Sequence, residues 1–307
     1  MTLHVQRSTG TMFIVGAPRS GTSLLYKALC LHPQVGYISN WVRRYPALPQ
    51  LAVLNRAARR FPGLQQAVWF GKDANAYVYS SPRSWLTRAF PMPVEGEPVY
   101  TRCGVPQPTG SPALTPEHGQ HGALPSAFAA IQRYGGGDCM ISKRIANNLR
   151  IAVLTDAFPD ARFVEIVRDG RAVAQSLSKV DWWPDSRIWW YGGSPRQWQR
   201  EGRDPWELCA HHWVREVGAV AEGLAAIPSP SVFSIRYERL VRDLAPVLRD
   251  LAQFIGLPDD RDWSARLAQL QHRPASGKPE YHRLPSDALA TIERIQSPTL
   301  RQLGYSV

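Results

Sequence analysis

The stretch MFIVGAPRSGTS, residues 12–23, decides how the rest of this sequence is read. Met12 to Gly16 is a short apolar run, Gly-Ala-Pro ends it, and a helical pattern runs from Thr22 to Leu31. The order is strand, tight turn, helix. A glycine-bracketed loop in that position points backbone N–H groups at an anion, and the positive end of the helix dipole adds to the attraction. From Gly16 to Ser23 the spacing equals that of the Walker loop, GxxxxGK[ST], with Thr22 in place of the lysine. That lysine reaches the outer phosphates of a nucleoside triphosphate. The loop therefore suits a smaller anion. A tight turn with no ligand is the competing reading, and an arginine, a serine and two further hydroxyl residues in the loop argue against it.

Outward from this loop, NNLRIAVLTDA (147–157) has helical spacing stopped by Phe158-Pro159-Asp160. ARFVEIV (161–167) reads as a buried strand and GRAVAQSLSK (170–179) as a helix. SVFSIRY (231–237) is then a strand and DLAPVLRDLAQFIGL (243–257) a helix with a glycine near its end. The alternation predicts an α/β fold, a P-loop-type parallel β-sheet with helices on both faces. Between residues 40 and 137 the pattern breaks down and prolines crowd Pro82 to Pro125. Trp69, Phe70, Tyr77, Tyr79 and Trp85 are costly to leave in water, which favours ordered loops and short helices over a linker. The expectation is one domain over residues 1–307, with 40–137 inserted into it.

Composition narrows the function. Hydrophobic residues make up 44% and charged residues 20%, ordinary for a globular chain. No stretch is apolar enough for a secretory signal or a membrane span, and a cytoplasmic protein is expected. Cys30, Cys103, Cys139 and Cys209 lie far apart, with no metal-ligand spacing, so no metal is expected. The net charge is +11, yet Lys27, Lys72, Lys143, Lys179 and Lys278 are the only lysines. Arginine from a GC-rich genome accounts for the remainder without any polyanionic partner. A nucleic-acid reading would rest on Arg43, Arg44, Arg56, Arg59 and Arg60. Arg56, Arg59 and Arg60 instead read as one solvated helical face, and no nucleic-acid partner is expected.

The sequence resembles the sulfotransferases that use 3′-phosphoadenosine-5′-phosphosulfate (PAPS), especially bacterial and tyrosylprotein-type members. Pro18 to Ser23 match that family's PRSGT[ST] loop, and FVEIVRDGRAVAQSL (163–177) matches its second signature, a strand followed by R-D-x-R and a helical serine. The resemblance covers about residues 12–35, 139–180 and 231–257, and it implies PAPS as cosubstrate. It assigns Arg19, Ser20, Gly21, Thr22 and Ser23 to the 5′-phosphosulfate and Arg168 and Ser176 to the 3′-phosphate. Arg168 at a strand end offers a bidentate fork, and Ser176 two turns along the helix adds a hydroxyl donor. Asp169 and Arg171 read better as residues that hold the turn. Tyr237, opening YERLV, matches a cofactor-contacting tyrosine, with core packing an equal rival. Lys278 in ASGKPEYHR resembles a late loop that closes over the nucleotide.

Sulfuryl transfer is an in-line displacement at sulfur, and negative charge grows on the bridging oxygen of the departing phosphate. Lys143, ending the apolar run of CMISKR (139–144), matches a lysine that relatives place at that oxygen. Arg19 is the second candidate. The acceptor hydroxyl needs a general base. Tyrosylprotein members carry carboxylates in a segment that here reads HPQVGYISN (32–40), with Ser and Asn in their places. An acidic cluster in the insertion of other bacterial members points to Glu95, with Glu97 as alternative; either also fits a solvated loop. His32 reads as a cap, and of His211 and His212 one packs and the other is exposed.

Seven of the eleven tryptophans fall between Asp181 and Trp213. Trp206 and Trp213 have core spacing. The pairs Trp182-Trp183 and Trp189-Trp190 fit either a flat wall for an acceptor or a satellite hydrophobic cluster. The expected acceptor is a hydroxyl of a small molecule, lipid or glycan, with 3′-phosphoadenosine-5′-phosphate released. The oligomeric state stays open. A kinase with a drifted loop is the rival enzyme class, but the Walker lysine and acidic metal ligands that it needs are not in place.

Overall fold

Strand β1, Thr11–Val15, is apolar on both sides, so both of its faces need cover. In the computed structural model, which describes residues 10–71, 85–108, 122–270 and 280–307, it lies at the centre of a parallel sheet. With β2 Val35–Gly36, β3 Cys139–Lys143, β4 Arg162–Val167 and β5 Val232–Arg236, the strand order is β2-β3-β1-β4-β5. Met12 sits in register between Ile141 of β3 and Arg162 of β4.

Alternation along β1 separates two cores. Met12 and Ile14 pack with Leu25 and Leu29 of the helix Thr22–Cys30 and with Leu248 and Leu251 of the helix Leu244–Ile255. Phe13 and Val15 face the helices Ala123–Gly135 and Ile151–Ala157 through Phe128 and Leu154. The Phe13 ring centroid lies 5.4 Å from that of Phe158 and 5.7 Å from that of Phe163. Helices therefore cover both faces of the sheet, as the sequence pattern predicts.

The expected helix over 147–157 differs. It starts as a 3₁₀ turn, Ile145–Leu149, and becomes α-helical only at Ile151–Ala157. The asparagines explain the break, because their side chains bond distant groups: Asn147 Nδ2 donates to Tyr100 Oη at 3.1 Å, and Asn148 holds Gly16. The described parts of 40–137 form short helices whose residues join the sheet's cores: Trp69 and Phe70 on one side, Val42, Ala52 and Tyr100 on the other. Tyr77 and Tyr79 lie outside the described residues.

Of the arginines read as one solvated face, Arg56 and Arg60 are exposed and Arg59 is not. Arg59 donates to the carbonyls of Val35, Gly135 and Gly136, and Arg56 to that of Arg133. Two of the three arginines thus tie off carbonyls at the end of the Ala123–Gly135 helix.

Because all strands run in parallel, the chain leaves β1, β3, β4 and β5 at one edge. Gly16, Arg144, Arg168 and Tyr237 follow those strand ends, at the edge where open α/β sheets bind ligands.

Candidate active site

The loop after β1 is shaped by backbone conformations that few residues adopt. Gly21 has φ +90°, and a Cβ there would lie 2.4 Å from Tyr237 Cδ2. Only glycine allows that ring so close. Arg19 has φ +70°, the single non-glycine with positive φ among the described residues. Asn148 clamps the start of the loop: its Oδ1 accepts from Gly16 N and its Nδ2 donates to Gly16 O, both at 3.0 Å. Ser20 is fully buried, and its hydroxyl finds no partner among the described residues. Thr22 opens the Thr22–Cys30 helix.

The second signature lies against this loop. Arg168 Nη1 donates to Arg19 O at 2.8 Å, and its guanidinium carbon sits 4.2 Å from the Tyr237 ring centroid. Arg19 Nε donates to Ser176 Oγ at 2.9 Å. The structure thus brings Arg19, Gly21, Arg168, Ser176 and Tyr237 together. Tyr237 packs against the core, and its ring also lies against the Arg168 guanidinium. Asp169 accepts from Arg171 N, Nε and Nη2, and Arg171 also reaches Glu293 and Ser306 O. Their work is structural. Lys278 lies outside the described residues.

Lys143 and Glu95, singled out for different roles, form an ion pair. Glu95 Oε2 also accepts from Ile145 N at 3.3 Å. Glu97 is used differently: Arg144 grips it with Nε and Nη2 at 2.5 and 2.8 Å, and Thr101 Oγ1 and Gln107 N donate to it as well. Of the two glutamates, only Glu95 lines the cavity beside the loop, together with Arg19, Thr22, Ser23 and Lys143. That cavity measures about 420 Å³. Behind it, Lys27 is buried and donates to Trp69 O at 2.8 Å; burial, reinforced by the Lys143 charge, lowers its ammonium to about 7.

The other cavity wall is aromatic. Trp182, Trp183 and Trp189 line it. Trp190 turns away to pack on Tyr191 and Trp198. Three of the four paired tryptophans thus border the cavity, while Trp183 and Trp190 also belong to the hydrophobic cluster behind it.

Sequence reading missed the hub of this wall, Glu216. It lies on the helix Pro205–Ala225, is 2% exposed, and faces the cavity. Its Oε1 accepts from Trp189 Nε1 at 2.8 Å and its Oε2 from Asn148 Nδ2 at 2.6 Å. Burial pushes its carboxyl up to about 6, and the two hydrogen bonds only partly counter this. One turn earlier, His212 accepts from Trp190 Nε1 at 3.3 Å, while burial lowers its imidazole to about 4. The only sequence signal was an i, i+4 His–Glu spacing on a helix rich in tryptophan. His211 is exposed and His212 buried; the His32 ring accepts from Gln34 N and meets Pro258 O, so it holds the turn after the Thr22–Cys30 helix without capping a helix carbonyl.

Among the described residues no group of three or more His, Cys, Asp or Glu stands close enough to hold a metal ion. No described helix is long and apolar enough to cross a membrane.

A sulfotransferase family model matches residues 12–261. The omega-hydroxy-beta-dihydromenaquinone-9 sulfotransferase Stf3 of Mycobacterium tuberculosis is 26% identical over 166 residues, 54% of this chain and 41% of that protein. The match spans less than half the length of that relative. The sulfotransferase STF9 of Mycobacterium avium superposes with a TM-score of 0.59 at 16% identity, covering 97% of this chain and 77% of that one. STF1 of Mycobacterium tuberculosis gives 0.54 at 15% identity, covering 94% and 75%. At such identities the two structures speak for the fold.

Proposed function

The chain belongs to the sulfotransferase family, and from that premise we propose that it moves a sulfuryl group from PAPS to the hydroxyl of a small-molecule, lipid or glycan acceptor. The observation that carries the reading is the Lys143–Glu95 ion pair, set in one cavity wall with Arg19, Thr22 and Ser23. A base for the acceptor and a cation for the leaving group thus stand side by side. Ser20, with a buried hydroxyl that no described residue satisfies, suits a loop made for ligand oxygens.

In this reading the acceptor enters between the tryptophan wall and Glu95. Glu95 takes the hydroxyl proton as the oxygen attacks sulfur in line. The bond from sulfur to the bridging phosphate oxygen breaks, and 3′-phosphoadenosine-5′-phosphate leaves with the electron pair. Lys143 and Arg19 offset the charge on that oxygen. The ion pair links the two events: once Glu95 is protonated its hold on Lys143 weakens, and the ammonium is released toward the leaving group as charge develops there. Arg168 and Ser176 hold the 3′-phosphate, and Tyr237 completes the nucleotide's described surroundings. The chain acts as one cytoplasmic domain whose 40–137 insertion contributes Glu95. A lipid acceptor gains support from the menaquinone-derived substrate in the name of the mycobacterial relative.

The test has two parts. 3′-Phosphoadenosine-5′-phosphate raises the melting temperature well above AMP or ATP with magnesium, since only it fills both anion sites. A screen of hydroxylated lipids, quinols, small metabolites and glycans with PAPS, read by mass, then yields a sulfated product. Equal shifts from all three nucleotides overturn the donor assignment.

A further inference from the structure

Six of the nine large apolar side chains that stand exposed among the described residues fall in one part of the chain: Tyr45, Leu48, Val53, Phe61, Leu64 and Trp85. Between residues 43 and 67 every exposed residue is apolar, glycine or arginine, with Gln50 the one exception. No aspartate or glutamate occurs in the first 72 residues. The short helices here already bury Val42, Ala52, Ala58 and Val68 inward. A helix in contact with water on its other side normally turns charges of both signs outward. The exposed side chains of these neighbouring helices are instead apolar, with cations of one sign among them.

We propose that this face docks on an anionic lipid bilayer. Arg43, Arg44 and Arg60 stand exposed to meet lipid phosphates, while Leu48, Val53, Phe61 and Leu64 enter the headgroup boundary, the division of labour of interfacial helices. Nucleic acid would engage the same arginines through its phosphates but leaves the aliphatic side chains without a role. The face also adjoins the chemistry. Asn40 Nδ2 donates to the carbonyls of Arg88 and Phe90, Trp41 Nε1 to that of Ala89, and Val94 N to Ile38 O. The segment held in this way runs directly into Glu95. Docking would therefore set the candidate base near a bilayer-borne hydroxyl; this last step rests on the proposed function, whereas docking itself does not.

The experiment is co-sedimentation of the full chain with vesicles of phosphatidylcholine alone and with about one third phosphatidylglycerol, beside gel shift with random duplex DNA. Partitioning onto the anionic vesicles is expected to exceed that onto neutral ones by roughly tenfold or more. Leu48→Ser/Phe61→Ser, which leaves the charge unchanged, and Arg43→Ser/Arg44→Ser each lose most of it. All these side chains are exposed, so both variants keep the wild-type melting temperature. No preference for anionic vesicles overturns the proposal. So does an apolar variant that partitions like the wild type, or binding to DNA as tight as to vesicles and indifferent to the apolar pair. A protein that docks but ignores 3′-phosphoadenosine-5′-phosphate sinks the donor assignment and leaves docking standing.

Discussion

Arg19 donates through Nε to Ser176 Oγ at 2.9 Å, and it does so from a left-handed backbone conformation. The two residues belong to different signatures, 157 positions apart, and were expected to serve opposite ends of the donor. Their contact joins the two proposed anion sites, and Arg168 braces the pair by donating to Arg19 O.

That brace shapes the expected behaviour of Arg168→Ala. Affinity for 3′-phosphoadenosine-5′-phosphate falls by about 1.5–3 kcal/mol, the scale of a charged hydrogen bond. AMP, which lacks the 3′-phosphate, loses distinctly less. Calorimetry on both nucleotides measures the difference, and equal losses would make Arg168 a support of the loop alone.

Lys143→Ala lowers kcat by roughly a hundredfold or more, the cost of removing one preorganised transition-state donor. Affinity for the product nucleotide changes much less. Lys143→Arg rescues poorly, because the planar fork does not place its charge where the ammonium sits. Steady-state turnover and nucleotide calorimetry on each variant check this. A defect lying wholly in binding removes Lys143 from the chemistry.

Glu216→Gln tests the wall. Both carboxylate oxygens accept hydrogen bonds, from Trp189 and from Asn148. An amide has one accepting end, and Asn148 cannot flip without losing Gly16. One link must break. We expect kcat/KM for the acceptor to drop by about tenfold, on the order of one hydrogen bond, with little change in nucleotide affinity. The thermal midpoint barely moves, since the substitution also removes a buried charge. An unchanged kcat/KM would show that the wall holds without this strut.

Gly21→Ala places a methyl group 2.4 Å from Tyr237 Cδ2 at φ +90°. The expected cost is about 1–3 kcal/mol of stability, read by denaturant unfolding. Adding Tyr237→Ala relieves the clash but not the backbone strain, so the double variant recovers part of the loss. Full recovery would assign all of the cost to the ring.

Acid sensitivity follows from His212. Burial lowers its imidazole from 6.5 to about 4, so the unfolded chain takes up a proton first. Its contribution to stability is intact above pH 6.5 and is lost as pH falls toward 4. Glu216 works in the opposite sense: raised from 4.5 to about 6, it favours the folded state as it protonates across that window. His212→Gln keeps an acceptor for Trp190 Nε1 and removes the first effect. The variant's melting temperature should therefore decline less than the wild type's from pH 6.5 to 4. A steeper decline would refute the assignment.

What the sequence disclosed was mostly local. The loop from Gly16 to Ser23 and the turn at Arg168 each lie within one strand–turn–helix unit, where periodicity and turn residues carry the information. β2 spans two residues, too few for any alternation to show. Lys143 and Glu95 were found separately, but their contact was not legible, since it joins positions 48 apart through the packing of the insertion. Glu216 was invisible for a related reason. Its partners Trp189 and Asn148 lie 27 and 68 positions away, and a glutamate on a long helix looks solvated until the fold buries it.

The strand order also bears on how the chain is made. Among the described strands β1 comes earliest in the chain, yet its neighbour β3 pairs Met140 with Thr11, and β4 pairs Arg162 with Met12. Until those strands emerge, the apolar TMFIV has no lateral partner in the sheet. Closing a loop of this length sets an entropic toll before any central pairing returns energy. The nascent chain therefore carries an unpaired hydrophobic strand until β3 and β4 are made, a natural client for a chaperone that shields extended apolar segments.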